Sequence, residues 1–265
     1  MPEVRPASNQ SPSDVRFAGV RFTPLGMEEA AAALAARPAG APFAYYVTPN
    51  VQHIDLHRAD PAFADAYEQA LISTNDSRIL HRVAKWAGLE LKFAAGSHVT
   101  RELLEAYIRP GDRLTLVGGT PEMAAALRER YGLRALVQHI PPMGFIHDPK
   151  AVREAVDFVA AHPARFVFVA MGPPQSELFC REVRRDGRAT GLGLCIGSSI
   201  MVLSGAYRAA PQWAEASGLV WLYRLTQEPR RLWRRYLVQN LPTLAFCLAE
   251  AAATRLKGRR SAVRG

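Results

Sequence analysis

The stretch Arg165-Phe166-Val167-Phe168-Val169-Ala170-Met171, running straight into Gly172-Pro173-Pro174-Gln175, decides the fold. Its apolar residues fall on consecutive rather than alternate positions, the pattern of a strand covered on both faces. Gly and Pro stop the strand, and a helix-period pattern follows from Pro174 to Arg185. Five other runs share this grammar: Phe43 to Thr48, Ala70 to Thr74, Arg113 to Val117, Ala135 to Ile140 and Gly191 to Ile196. Helical patterns separate them at Val51 to Ala70, Ser77 to Ala87, Thr100 to Ile108, Pro121 to Tyr131 and Pro149 to Ala161. The alternation predicts an α/β fold, a Rossmann-like open, mainly parallel sheet with helices on both faces.

Around this body the reading places a Pro- and Ser-rich leader over residues 1–14, expected to be disordered. The α/β domain spans residues 15–217, and a basic helical C-terminal appendage spans 218–265. With 265 residues, 49% of them apolar, the chain has material for a sizeable core. Cys180, Cys195 and Cys247 are odd in number and lack metal-ligand spacing, which fits buried thiols in a reducing compartment. The first 20 residues carry no apolar run, so no secretory signal is expected, and Tyr236 to Ala253 is broken by Gln239, Asn240, Pro242 and Glu250, which argues against a membrane span.

The formal charge of +9 is unevenly placed. From Arg224 onward ten Lys or Arg residues face only Glu228 and Glu250, whereas the first 223 residues carry 23 basic and 22 acidic side chains. A nearly neutral body with a basic tail suits an anionic surface.

In an open α/β sheet, ligands bind beyond the carboxyl ends of the strands. The residues found there are Thr48-Pro49-Asn50, Asn75-Asp76-Ser77, Gly118-Gly119-Thr120, Gly172-Pro173-Pro174-Gln175 and Gly197-Ser198-Ser199. All are small or polar, and helices opening directly after them present N–H groups to an anion, so a phosphate-bearing ligand is expected. Local turn and cap chemistry accounts for each junction taken alone; Asp76 in particular reads equally as a helix cap or as a general base. No GxGxxG, P-loop or GxSxG motif is present, which removes the ordinary dehydrogenase, P-loop NTPase and α/β-hydrolase readings.

Taken in order, Thr48-x-Asn50, Asp76, Leu116-Val117-Gly118-Gly119, Gly144-Phe145, Gly172-x-Pro174 with Glu177, and Gly197 resemble the WecG/TagA/CpsF glycosyltransferase family. The tail adds Trp221-Leu222-Tyr223-Arg224-Leu225, then Glu228-Pro229-Arg230-Arg231 and Arg235-Tyr236. The resemblance implies an inverting transfer of N-acetylmannosamine, its uronic acid or a related hexose from UDP to a polyprenyl-diphosphate-linked saccharide, in bacterial envelope or exopolysaccharide synthesis. It implies Asp76 as the base, with Thr48 and Asn50 beside the reacting sugars. Gly118, Gly119, Gly172, Pro174, Gln175 and Gly197, with Arg224, Arg230 and Arg231, would hold the UDP moiety. No Asp-x-Asp pair occurs, so no cofactor beyond the UDP-sugar donor and no catalytic metal is expected.

The chain departs from the family pattern at Gln175-Ser176, where Lys-Gln is usual, at Phe93 for Arg, at His98 for Asp, at Met201 for an acid, and at Ala209 for Arg. In the tail, Leu232, Trp233, Tyr236 and Leu237 share a helix side flanked by arginines, an arrangement suited to an anionic lipid surface. The expected location is therefore cytoplasmic, on the inner face of the cytoplasmic membrane, with a homo-oligomer possible. Two other classes fit parts of the sequence: a nucleic-acid-binding module with a basic arm, which the neutral body does not support and which makes nucleic acid an unexpected partner, and an inactive UDP-sugar-binding protein.

Overall fold

A computed structural model of the chain describes residues 13–263 apart from Ser198, Arg208, Ala209 and Glu228. Most of the expected leader, and the departure at Ala209, lie outside the described residues.

Six strands form one parallel sheet: β3 (Ala44–Val47), β4 (Ile72–Ser73), β5 (Leu114–Gly118), β6 (Leu136–His139), β7 (Phe166–Ala170) and β8 (Leu192–Cys195). Their order across the sheet is β4-β3-β8-β7-β5-β6. Each lies within one of the six apolar runs. A separate antiparallel hairpin, β1 (Val15–Phe17) and β2 (Val20–Phe22), precedes them.

Alternation along the strands divides the core in two. Tyr45, Val47, Val167 and Val169 face one side, where α2 (Val51–Ala59), α3 (Pro61–Glu68), α4 (Arg78–Trp86), α7 (Pro149–Ala161) and α8 (Gln175–Asp186) bury Ile54, Phe63, Leu80, Val156 and Phe179. Tyr46, Leu116, Phe166, Phe168 and Leu194 face the other side. There α1 (Met27–Ala35), α5 (Gly96–Glu102), α6 (Pro121–Tyr131) and α9 (Ser199–Leu203) contribute Leu34, Val99, Leu127 and Ile200. Each such buried Phe or Leu contributes about 1.5–3 kcal/mol. Sheet packing is tight at Gly191, where a Cβ would meet the Ala164 carbonyl oxygen at 1.9 Å.

The helical pattern from Val51 to Ala70 is two helices. Asp60 accepts a hydrogen bond from the Ala62 N–H and Pro61 opens α3, so the chain restarts in a new direction. The pattern from Thr100 starts earlier, at Gly96, and ends in a π-helical turn over Leu103–Tyr107.

The C-terminal segment is helical: α10 (Gln212–Ser217), α11 (Val220–Gln227), α12 (Pro229–Trp233), a π-helical stretch Arg234–Gln239 and α13 (Asn240–Val263). The last helix packs on α2 and α4. Its Cys247 and Ala251 are buried in the same core cluster as Ile54 and Leu80. Polar contacts fasten it: Thr243 Oγ1 donates to Asp55 Oδ1 at 3.1 Å, and Arg255 Nη1 donates to the Trp86 carbonyl at 2.8 Å. Among the described residues no helix is long and apolar enough to cross a membrane.

Candidate active site

Because the six strands are parallel, their carboxyl ends share one edge of the sheet, and all five polar junctions open there. Neighbouring junctions touch. The Asp76 N–H donates to the Pro49 carbonyl at 3.0 Å, joining the ends of β4 and β3. A Cβ on Gly197 would lie 3.3 Å from the Met171 carbonyl oxygen, and one on Gly118 would lie 2.7 Å from Met171 Cγ, which brings the ends of β8, β7 and β5 together. The chain leaves β5 into α6 on one face and leaves its neighbour β7 into α8 on the other, the topology that opens a crevice between two strand ends.

Asp76 does not cap the helix that follows it. Ser77 is the N-cap of α4, and its side chain accepts a hydrogen bond from the Leu80 N–H at 3.2 Å. The Asp76 carboxyl is thereby left free of the α4 N-terminus, at the strand-end edge. It is partly buried, and desolvation pushes its pKa up to about 6. Arg224 opposes this shift most strongly, followed by His53, His98 and a hydrogen bond from the Gly96 backbone. Three side chains from α11, α2 and α5 thus converge electrostatically on one carboxyl.

Thr48 is buried beside Gly96; a Cβ there would lie 3.1 Å from Thr48 Oγ1. Asn50 caps α2, its Oδ1 accepting from the Gln52 N–H at 3.0 Å and lying 2.9 Å from His53 Nδ1. The far side of that imidazole meets α8: His53 Nε2 is 3.6 Å from Glu177 Oε1. Glu177 is 2% exposed, and its Oε2 has no hydrogen-bond partner among the described residues. A chain of polar contacts therefore runs from Asn50 through His53 to Glu177, and its middle member, His53, acts electrostatically on Asp76. Glu177 belongs to the sequence pattern quoted above, but its pairing with His53 was not readable, since the two lie on different helices 124 positions apart.

The glycines divide by role. Gly118 needs its left-handed φ of 89° and the absent side chain to pass Met171 and Ala170. At Gly172 a Cβ would meet nothing within 4 Å, and the residue is exposed at the rim. Gly119 and Gly197 also have positive φ, and Gln138 Nε2 donates to the Gly118 and Thr120 carbonyls at 3.0 Å each, bracing the turn. Pro174 caps α8 and Gln175 is its first residue, partly buried. Ser176 is turned inward, its hydroxyl donating to the Met171 carbonyl at 2.5 Å.

Of the C-terminal cations, Arg224 is brought to Asp76, whereas Arg230 is exposed on α12. The side chains of Arg231, Arg235, Tyr236 and Leu237 lie outside the described residues, as does Glu228. Leu232 is buried and Trp233 is exposed. At the departures, His98 sits in the first turn of α5, edge-on to the Phe93 ring, and the Arg78 guanidinium lies over that ring at 4.2 Å. Among the described residues no group of three or more His, Cys, Asp or Glu side chains converges as a metal site. Compared with known families, the chain matches the model of the Glycosyl transferase WecG/TagA/CpsF family over residues 15–257.

Proposed function

The chain belongs to the WecG/TagA/CpsF glycosyltransferase family, a glycosyltransferase type of cell-envelope polymer synthesis, and from that premise we propose an inverting transfer from a UDP-sugar to a polyprenyl-diphosphate-linked saccharide, with Asp76 as general base. The observation that carries the reading is the Asp76 carboxyl itself. It stands at the strand-end edge, relieved of capping duty by Ser77, with its pKa pushed up to about 6. A base in that range is ionised at neutral pH yet basic enough to take a hydroxyl proton.

In this reading the acceptor hydroxyl gives its proton to Asp76 as its oxygen bonds to the anomeric carbon from the face opposite UDP. The bond to the diphosphate breaks, and its electron pair leaves with UDP. Thr48 and Asn50 flank the sugars. Gly118, Gly119, Gly172, Pro174, Gln175 and Gly197 line the seat of the nucleotide; the empty surroundings of Gly172 favour close approach of a ligand there. Leaving-group charge falls to Arg224, with Arg230 and Arg231, and to helix N-termini, in keeping with a sequence that lacks an Asp-x-Asp pair. The exposed Trp233 and the basic tail support peripheral attachment to the inner face of the cytoplasmic membrane.

The test is sugar transfer from UDP donors to a prenyl-diphosphate-linked saccharide. Asp76→Asn should lower kcat by about 100-fold or more while UDP affinity stays within twofold; transfer at the parent rate would remove Asp76 as base.

A further inference from the structure

The reaction proposed above brings two diphosphates to one edge of the sheet, that of the nucleotide and that of the lipid-linked acceptor. The glycine turns after β7 and β5 lie three and four strand positions from β4, or about 14 and 19 Å at the usual strand spacing. The donor reaches Asp76 from that side, and a second diphosphate, the acceptor's, needs a cation of its own at the β4 end.

Arg78 stands at that end. It is the first residue of α4, two positions after Asp76. A cation there is opposed by the helix dipole, and the first turn of α4 holds no acidic residue to offset it. The guanidinium is fixed over Phe93 at 4.2 Å. Its Nε is buried without a hydrogen-bond partner among the described residues, and none of their carboxylates forms an ion pair with it. The loop entering α11 closes its other side, with a Cβ on Gly218 placed 3.4 Å from Arg78 Cβ. A planar donor held flat and partly desolvated, with no ion-pair partner among the described residues, is costly unless an anion completes it. Arg224 is the arginine that acts on Asp76, so Arg78 is left for a charge further along the rim.

We infer that Arg78, laid on Phe93 at the β4 edge, binds the diphosphate of the lipid-linked acceptor and thereby sets the acceptor sugar against Asp76. This rests on the proposed transfer for its meaning, but its test does not need turnover.

Titration calorimetry on the full chain with farnesyl diphosphate, farnesyl monophosphate and UDP, for the parent, Arg78→Gln, Arg78→Lys and Phe93→Leu, decides it. Arg78→Gln should weaken farnesyl diphosphate about tenfold or more and leave UDP within twofold. Lysine should not restore the loss, because it lacks the planar fork, and Phe93→Leu should weaken binding about threefold. The melting temperature of Arg78→Gln should fall by no more than about 2 °C, since the stacking on Phe93 is the only contact of its guanidinium lost among the described residues. Farnesyl diphosphate binding that is undetectable in the parent, unchanged in Arg78→Gln, or lost in step with UDP overturns the assignment. Failure of the reaction reading shows separately, as undiminished transfer by Asp76→Asn.

Discussion

Asp76 is poised at a cost that can be measured. Its carboxyl is easier to protonate in the folded chain than in the unfolded one, since its pKa rises from 3.8 to about 6 on folding. The folded state therefore binds more protons across that interval, and stability falls as pH rises through it. Below pH 3.8 the group costs nothing; above about 6 the full penalty applies. Asp76→Asn should accordingly stabilise the chain by roughly 1–3 kcal/mol at pH 7.5 and by close to nothing at pH 4, read as urea midpoints. The same ionisation should appear as an acid limb near pH 6 in the rate of transfer, rising with pH. From the sequence, Asp76 served equally as cap or base. What separated the two was the hydroxyl of its neighbour Ser77, whose bond to Leu80 depends on side-chain geometry that no residue order displays.

At the scale of elements, α2 and α8 are coupled by a contact neither helix reveals alone. His53 and Glu177 have side chains 11% and 3% exposed, so each needs the other. His53→Leu should lower stability by about 2–4 kcal/mol, because it leaves Glu177 buried without a neighbour of opposite polarity. Adding Glu177→Leu should recover part of the loss, and a double-mutant cycle of denaturant midpoints measures the coupling. Simple additivity of the two losses would refute the pairing. The central strands were legible because burial on both faces writes itself as unbroken apolar runs, as in Phe166 to Ala170. The hairpin at Val15–Phe22 was not. Its strands are three residues each, too short for periodicity, and its two-residue turn sets Ala18 at a φ of 51° before Gly19, where Asn or Asp before the glycine would have given the usual signal. The break at Asp60-Pro61 was written in the sequence as a cap followed by proline, but the apolar period continues across it and masks the change of direction.

For the whole molecule, the C-terminal segment has two faces with separate consequences. Cys247 and Ala251 turn inward and complete the core over α2 and α4, while Trp233, Leu241 and Leu248 stay exposed. Deleting residues 240–263 should lower the melting temperature by about 10 °C. Replacing Trp233, Leu241 and Leu248 together by serine should leave it within about 2 °C yet reduce sedimentation with anionic vesicles several-fold. Equal vesicle binding by the triple variant would reject this surface as the membrane contact. The charge asymmetry was readable in the sequence. The inward face was not, because α13 carries apolar residues on most sides and only the packing decides which are covered.

The same seal has a bearing on how the protein is born. Phe17 and Val20 of the first hairpin share a core cluster with Cys247 and Ala251 of α13. The hairpin is made well before α13 and must wait for it, and during translation that apolar surface faces chaperones and neighbouring chains rather than its own partner.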